Sequence, residues 1–313
     1  MKLASIDVGT NTARLLAAEV EEGRITREIL NLREMTRLGE SLSEGGLLSP
    51  AARERTARVL GGWSRLLADE GVFDVSAIAT EALRRARDAE GFVTEVNERT
   101  GLGIHIISGE EEARLTLVGV RADLGAGGRP GWKLVIDIGG GSVEFVLTED
   151  WNRFKAVSIP IGAVGLYERF LHSDPPTDLE MSDLLDFCHD ALLPLQDFLP
   201  KGGPVSLIGT AGTITTLAAV DLGMDIDAYD PKRITGHALV RDTVAKLLER
   251  FIDLSEEQRM LIAGLEHGRA DIIVSGTALL AAIMDRAGAG SITVCDSGLR
   301  EGNLLDYFEK KAR

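Results

Sequence analysis

Apolar positions along this chain recur at two periods. Alternation over residues 2–8, 13–20 and 25–32 predicts a three-strand meander, with Glu21-Glu22-Gly23 as a turn. Ser49 and Pro50 then mark a helix start. Ala57, Leu60, Trp63, Leu66 and Leu67 follow at helical spacing until Gly71 stops the helix. A strand over Phe73–Thr80, a helix over Ala89–Thr100 and a strand over Ile104–Ile107 complete a first α/β block. Later strands are expected at 134–138, 143–146, 154–159, 204–208 and 292–295, with Gly162-Ala163-Val164-Gly165 as a turn. Thr177 with Glu180 and Ser255 with Gln258 have capping-box spacing, and the first box opens an amphipathic helix carrying Leu184, Leu185, Leu192 and Leu193. The run Ile272–Met284 is nearly all apolar, so that helix is expected between layers; an amphipathic helix ends the chain.

One stretch organises this pattern. Leu134-Val135-Ile136-Asp137-Ile138 runs into Gly139-Gly140-Gly141-Ser142, and alternation resumes at Val143-Glu144-Phe145-Val146, a strand, a tight turn and a strand. Glycines there permit positive φ and leave backbone N–H groups for a phosphate, while an aspartate at the strand end can hold a cation. A plain glycine-rich hairpin explains the stretch equally well taken alone. The start of the chain repeats it: Asp7, Gly9 and Thr12 correspond to Asp137, Gly139 and Ser142 at one offset, 137 − 7 = 130. Two copies imply two related lobes across a cleft. We expect an α/β protein of two ribonuclease H-like lobes around a central cleft, resembling the actin-like ATPase and sugar kinase superfamily. The first lobe would cover 1–124, with a C-terminal helix 300–313 packing back on it, and the second 125–299. The run Gly125–Gly131 reads as the linker.

Composition narrows the function. With 313 residues and 44% hydrophobic content the chain can bury two cores. Its net charge of −15 argues against nucleic-acid and anionic-membrane binding, so a phosphate ligand needs local donors and a divalent cation. No apolar run has membrane-span length and no export signal is read, which with two widely spaced cysteines, Cys188 and Cys295, suggests the cytoplasm. The five histidines form no zinc-type pair.

Three further places carry candidate chemistry. Arg84, just past a strand end in Ala79-Thr80-Glu81-Ala82-Leu83-Arg84, can reach a phosphate or lie on a solvated helix face. The acidic run Glu110-Glu111-Glu112 after Ser108 is explained as a capped first turn, or as the source of a carboxylate that takes a proton from attacking water. Gly209-Thr210-Ala211-Gly212-Thr213, at the end of a strand and the start of a helix, is a weak phosphate signal.

Together with Ile107–Arg114, Arg269-Ala270-Asp271 and Gly298-Leu299-Arg300-Glu301-Gly302, these stretches resemble the exopolyphosphatase and guanosine pentaphosphate phosphatase family, in its short form. The resemblance implies hydrolysis of a terminal phosphoanhydride in inorganic polyphosphate or guanosine pentaphosphate. It implies Glu112 as the general base, and Asp137, Gly139 and Glu144, with Asp7, around a divalent cation, Mg2+ or Mn2+. Asn11, Thr12, Arg84, Gly139, Gly140, Gly141, Ser142, Gly209, Gly212 and Thr213 are expected on the phosphates, and a homodimer is implied. Asp88 stands where the family usually has asparagine. A small-molecule kinase of the same superfamily, or a sensor that binds a guanosine alarmone without cleaving it, are the alternatives.

Overall fold

The computed structural model describes residues 1–40, 42–125, 131–225 and 228–312, so 126–130 of the expected linker lie outside the described residues, as does Arg313. The chain divides into two compact units, Met1–Ala122 with Ser297–Arg313, and Asp123–Asp296. In chain order the first contains β1 (Lys2–Val8), β2 (Ala13–Glu21), β3 (Arg24–Glu34), α1 (Leu42–Gly45), α2 (Pro50–Asp69), β4 (Val75–Ala79), α3 (Glu81–Arg85), α4 (Ala89–Thr100), β5 (Ile104–Ile106) and most of α5 (Gly109–Leu124). The second contains β6 (Trp132–Ile138), β7 (Val143–Thr148), β8 (Phe154–Ile159), α6 (Ala163–Phe170), α7 (Asp178–Ala191), α8 (Leu193–Phe198), β9 (Val205–Thr210) and α9 (Ala211–Asp221). It continues with α10 (Pro231–Ile234), β10 (Ala238–Val240), α11 (Arg241–Ile252), α12 (Glu256–Arg259), α13 (Ile273–Arg286) and β11 (Ser291–Val294); α14 (Leu299–Ala312) belongs to the first unit.

Each unit is built on one mixed sheet, ordered β3-β2-β1-β4-β5 in the first and β10-β11-β9-β6-β7-β8 in the second. In both, an antiparallel meander adjoins strands that run parallel to its first member, the ribonuclease H-like pattern. Strand β1 is buried almost throughout because both sheet faces are covered. Ala4, Ile6 and Val8 pack towards Leu60, Trp63, Phe92 and Val96 of α2 and α4, while Leu3 and Leu16 meet Leu304 and Leu305 of α14.

In the second unit every residue from Ile273 to Met284 is buried, which explains the unbroken apolar run, since α13 packs against α6, α7, α9 and α11. Both expected capping boxes form, at Thr177 and at Ser255. Other readings need correction. The turn expected at Gly162–Gly165 is the beginning of α6, with Gly162 as its N-cap. Leu184 and Leu193 sit on different helices, because Pro194 starts a new one just after Leu192. Short β10 lies beside β11 with no alternation long enough to announce it. Among the described residues no helix is long and apolar enough to cross a membrane.

Candidate active site

The repeat read at offset 130 survives as strand register. Asp7 lies opposite Arg14 across β1 and β2, and Asp137 opposite Glu144 across β6 and β7, with 144 − 14 = 130 as well. Gly9 N–H donates to the Thr12 carbonyl at 3.1 Å, and Gly139 N–H to Ser142 at 2.9 Å. The turns are alike, yet their neighbours have opposite charge. Laterally paired residues share a face, so the first row is Ile78, Asp7, Arg14 and Arg33, and the second is Thr210, Asp137, Glu144 and Ser158.

The glycines of the second turn are needed for a reason other than positive φ, which none of Gly139, Gly140 and Gly141 adopts. A Cβ on Gly139 would stand 3.1 Å from the Ser142 carbonyl, and one on Gly162 2.5 Å from the Gly140 carbonyl carbon. The first turn of α6 therefore lies directly on this loop. Its N–H groups take the loop carbonyls, Ala163 donating to Gly139 at 3.1 Å and Val164 to Gly140 at 2.9 Å. Across a trans peptide the N–H points opposite its carbonyl, so the Gly140 and Gly141 N–H groups are directed away from α6. That is the geometry of an anion cradle.

In the first turn, Asn11 Nδ2 and Thr12 Oγ1 donate to the Met35 Sδ at 3.6 and 3.3 Å. A thioether is a weak acceptor, so both donors keep capacity for a phosphate oxygen. The loop behind them is fixed by Arg37 N–H on the Asn11 carbonyl and Gly39 N–H on the Thr10 carbonyl. Glycine at 39 leaves room for the Thr10 methyl, since a Cβ would stand 2.3 Å from Thr10 Cγ2 and force that side chain to shift.

Arg84, Glu81 and Glu112 form a buried set in the first unit. Arg84 Nε donates to Glu81 Oε2 at 3.0 Å, and its NH1 to Glu112 Oε2 at 2.6 Å and to the Ile107 carbonyl at 3.0 Å. Side-chain exposures of 18, 10 and 9% for Arg84, Glu81 and Glu112 place these charges largely out of bulk water, where removing one partner would leave another uncompensated. The acids of the Glu110–Glu112 run therefore differ in surroundings. Ser108 Oγ accepts from Glu111 N–H at 3.1 Å, but Glu111 turns its carboxylate to Arg114, so only half of the capping box forms. Glu112 is the one of the three that faces inward. Asp88, the departure noted in the sequence, accepts from Arg53 at 2.8 Å and from Leu48 N–H at 3.1 Å and braces α2.

At the third candidate turn Gly209 lies within β9, where a Cβ would meet Ile292 and Ile214 at 2.6 and 2.7 Å; glycine there serves packing. Ala211 carries a φ of 67°, a strained value for a residue with a Cβ. Gly212 faces the guanidinium of Arg269, 2.1 Å from where its Cβ would be, and Glu266 holds Arg269 at 2.7 Å. Thr213 is buried beneath it. Arg14, and Arg269 within the Arg269-Ala270-Asp271 stretch, are cations to which sequence reasoning gave no role. The offset of 130 already aligned Arg14 with Glu144, whereas nothing local to Arg269 announces Gly212.

No group of three or more His, Cys, Asp or Glu side chains disposed to hold a metal occurs among the described residues. The second row nevertheless fits a hard divalent cation, which commonly takes one or two carboxylates and completes its shell with water and substrate phosphate. Asp137 and Glu144 are 7 and 1% exposed, and Ser158 Oγ donates to Glu144 Oε1 at 2.7 Å, an outer partner that orients the carboxylate. The Gly139 carbonyl accepts from Ala163 N–H and keeps a second lone pair, and Asp7 lies beside Arg14, so the two carboxylates that share a row are Asp137 and Glu144.

Paired α/β units, each with an Asp-x-Gly hairpin, define the actin-like class of phosphate-handling folds. Within that class the chain belongs to the Ppx/GppA phosphatase family, whose profile matches residues 16–311. It is 33% identical over 316 residues to exopolyphosphatase 2 of Mycobacterium tuberculosis, covering 97% of this chain and 98% of that one. The crystal structure of the Aquifex aeolicus Ppx/GppA family member is similar with a TM-score of 0.81 at 32% identity, covering 100% of this chain and 99% of that chain. An exopolyphosphatase from Cytophaga hutchinsonii is similar with a TM-score of 0.88 at 26% identity, covering 98% of each.

Proposed function

We propose that this chain is a phosphoanhydride hydrolase that removes the terminal phosphate of inorganic polyphosphate or guanosine pentaphosphate. The observation that carries the reading is Glu112, buried and fixed on Arg84 at 2.6 Å, in a family of phosphatases. Water attacks the terminal phosphorus while Glu112 takes its proton. The bridging P–O bond breaks, orthophosphate leaves, and the shortened chain carries away the electron pair. Arg84 keeps one Glu112 oxygen in place so that the carboxylate presents a constant direction to the water.

The turn amides of Gly140 and Gly141, the Ser142 hydroxyl, Asn11, Thr12, Gly212 and Thr213 hold phosphate oxygens, with Arg14 and Arg269 supplying charge. Asp137 and Glu144 would hold a divalent cation such as magnesium, which when bound would neutralise charge on the phosphates. This answers the net charge of −15, which by itself opposes a polyanion. A cytoplasmic setting and a homodimer belong to the same proposal; they rest on family resemblance.

The test is orthophosphate release from long polyphosphate, short polyphosphate and guanosine pentaphosphate, each with magnesium and without added nucleotide. We expect release from at least one. Activity that requires a nucleotide and an acceptor would identify a kinase, and tight alarmone binding without turnover a sensor.

A further inference from the structure

Three consecutive acids on a helix point in three directions about 100° apart, so the rotation of α5 decides which carboxylate faces Arg84. That rotation is set from the far end of the sequence. Glu111 accepts from Arg114 Nε and NH2 at 2.7 and 2.9 Å, and the same NH2 donates to Asp306 of α14 at 2.8 Å, across a sequence separation of 192. Asp306 also pairs with the exposed Lys310 at 2.7 Å.

Behind this ion pair the two helices meet backbone to backbone. A Cβ on Gly302 would lie 1.8 Å from the Leu115 carbonyl oxygen, and one on Gly119 2.0 Å from that of Gly298. Neither helix can slide or turn against the other without a clash. The second helix is in turn tied to the sheet: Asn303 Nδ2 donates to Ser5 Oγ at 2.9 Å and to the Ser76 carbonyl at 3.2 Å, on the strands that lead to Asp7 and to Thr80.

We propose that Arg114 and Asp306 are positioning residues for Glu112, fixing the first turn of α5 so that this carboxylate, and neither Glu110 nor Glu111, faces Arg84. The inference rests on the hydrolase reading above and deepens it. Without Arg114, Glu111 loses its counter-charge while the Asp306 carboxylate still acts on it, and repulsion between those two acids favours turning the first turn of α5 away from α14. The pair supplies both the neutralising charge and the mechanical link to α14. In keeping with this, the hydrogen bond from Arg114 holds the Glu111 carboxyl below its ordinary range.

The experiment compares Asp306→Asn, Arg114→Met and the double variant, each as the full chain. Steady-state phosphate release is measured together with amide hydrogen exchange along α5. We expect kcat to fall about 10- to 100-fold while KM changes less than about twofold, as for a displacement of the base on the order of an ångström. The double variant should lose little more than either single one. Arg114→Lys should recover part of the rate, and Lys310→Met should leave it unchanged. Amides at Glu110–Glu112 should exchange faster, with Leu117–Val120 unaffected.

Unchanged kcat with unchanged first-turn exchange overturns the proposal. So does protection lost evenly along α5 and α14 with activity falling only as the folded fraction falls. If the unaltered chain releases phosphate from no anhydride, it is the hydrolase reading that fails. The exchange measurement then still decides whether Arg114 and Asp306 hold the turn.

Discussion

Glu112→Gln should separate activity from stability. The substitution is isosteric and leaves an amide oxygen able to accept from Arg84 NH1, while Arg84 keeps Glu81 at 3.0 Å through Nε and 2.9 Å through NH2. Two terms of opposite sign then act on the fold. Exchanging a charge-assisted hydrogen bond for a neutral one costs about 1 kcal/mol, and removing one of two carboxylates that share a single guanidinium relieves repulsion of similar size. The net change in unfolding free energy should stay within about 1 kcal/mol. Turnover is another matter, because the amide cannot take a proton. General-base catalysis contributes about 10²–10⁴ in rate, or roughly 2.7–5.5 kcal/mol of barrier.

Arg84→Met is the contrasting variant. It strands two buried carboxylates without their cation and should destabilise by up to about 3–5 kcal/mol. Urea unfolding followed by circular dichroism measures the first quantity, and initial rates of orthophosphate release with saturating magnesium measure the second. A Glu112→Gln enzyme that keeps near-normal turnover refutes the base assignment. One that loses turnover only in step with its folded fraction reduces Glu112 to a structural partner of Arg84.

Other outcomes follow from the same geometry. Ser158→Ala removes the donor that orients Glu144, so the magnesium concentration for half-maximal rate should rise about 10- to 100-fold with saturated kcat little changed; an unaltered magnesium titration contradicts the second row as the cation site. Excess chelator should abolish phosphate release, and full activity in its presence counts against any divalent cation in the reaction. Gly212→Ala places a methyl against the Arg269 guanidinium and should cut kcat/KM by about ten- to a hundredfold, so an unaltered value removes Arg269 from the phosphate contacts. Glu180 accepts from Thr177 N–H first, and also from the His172 and Ser173 N–H groups, which pulls its carboxyl from 4.5 to about 2. A depressed folded value stabilises fully above the unfolded one and is lost as pH falls through the folded one. Glu180→Gln should therefore be less stable at neutral pH, with the difference closing between pH 4.5 and 2 in urea titrations; a gap that persists at pH 2 contradicts the cap.

Much of the architecture was legible because its signals are local. A capping box spans three residues, an apolar run such as Ile272–Met284 declares its burial by composition, and the offset of 130 between the two Asp-x-Gly turns became matching strand register. Where local signals conflicted, the reading slipped. Gly162–Gly165 has turn composition, yet it starts α6 because the helix has to approach the Gly140 backbone within the space only Gly162 leaves.

What the amino-acid order alone determined was the duplicated scaffold, the set of chemical groups on each turn, and the short list of acids from which a base could come. Tertiary structure decided which of them faces inward, since Glu110, Glu111 and Glu112 follow one another on one helix turn and only Glu112 meets Arg84, 28 residues away, while Glu111 is tied through Arg114 to Asp306 near the C-terminus. It also set Arg14 directly across from Asp7 and Glu144 directly across from Asp137, and brought Arg269 to Gly212. The physical reason is range: dihedral preference and capping act within a turn of chain, whereas pairing of buried charges depends on which distant groups packing brings within about 3 Å.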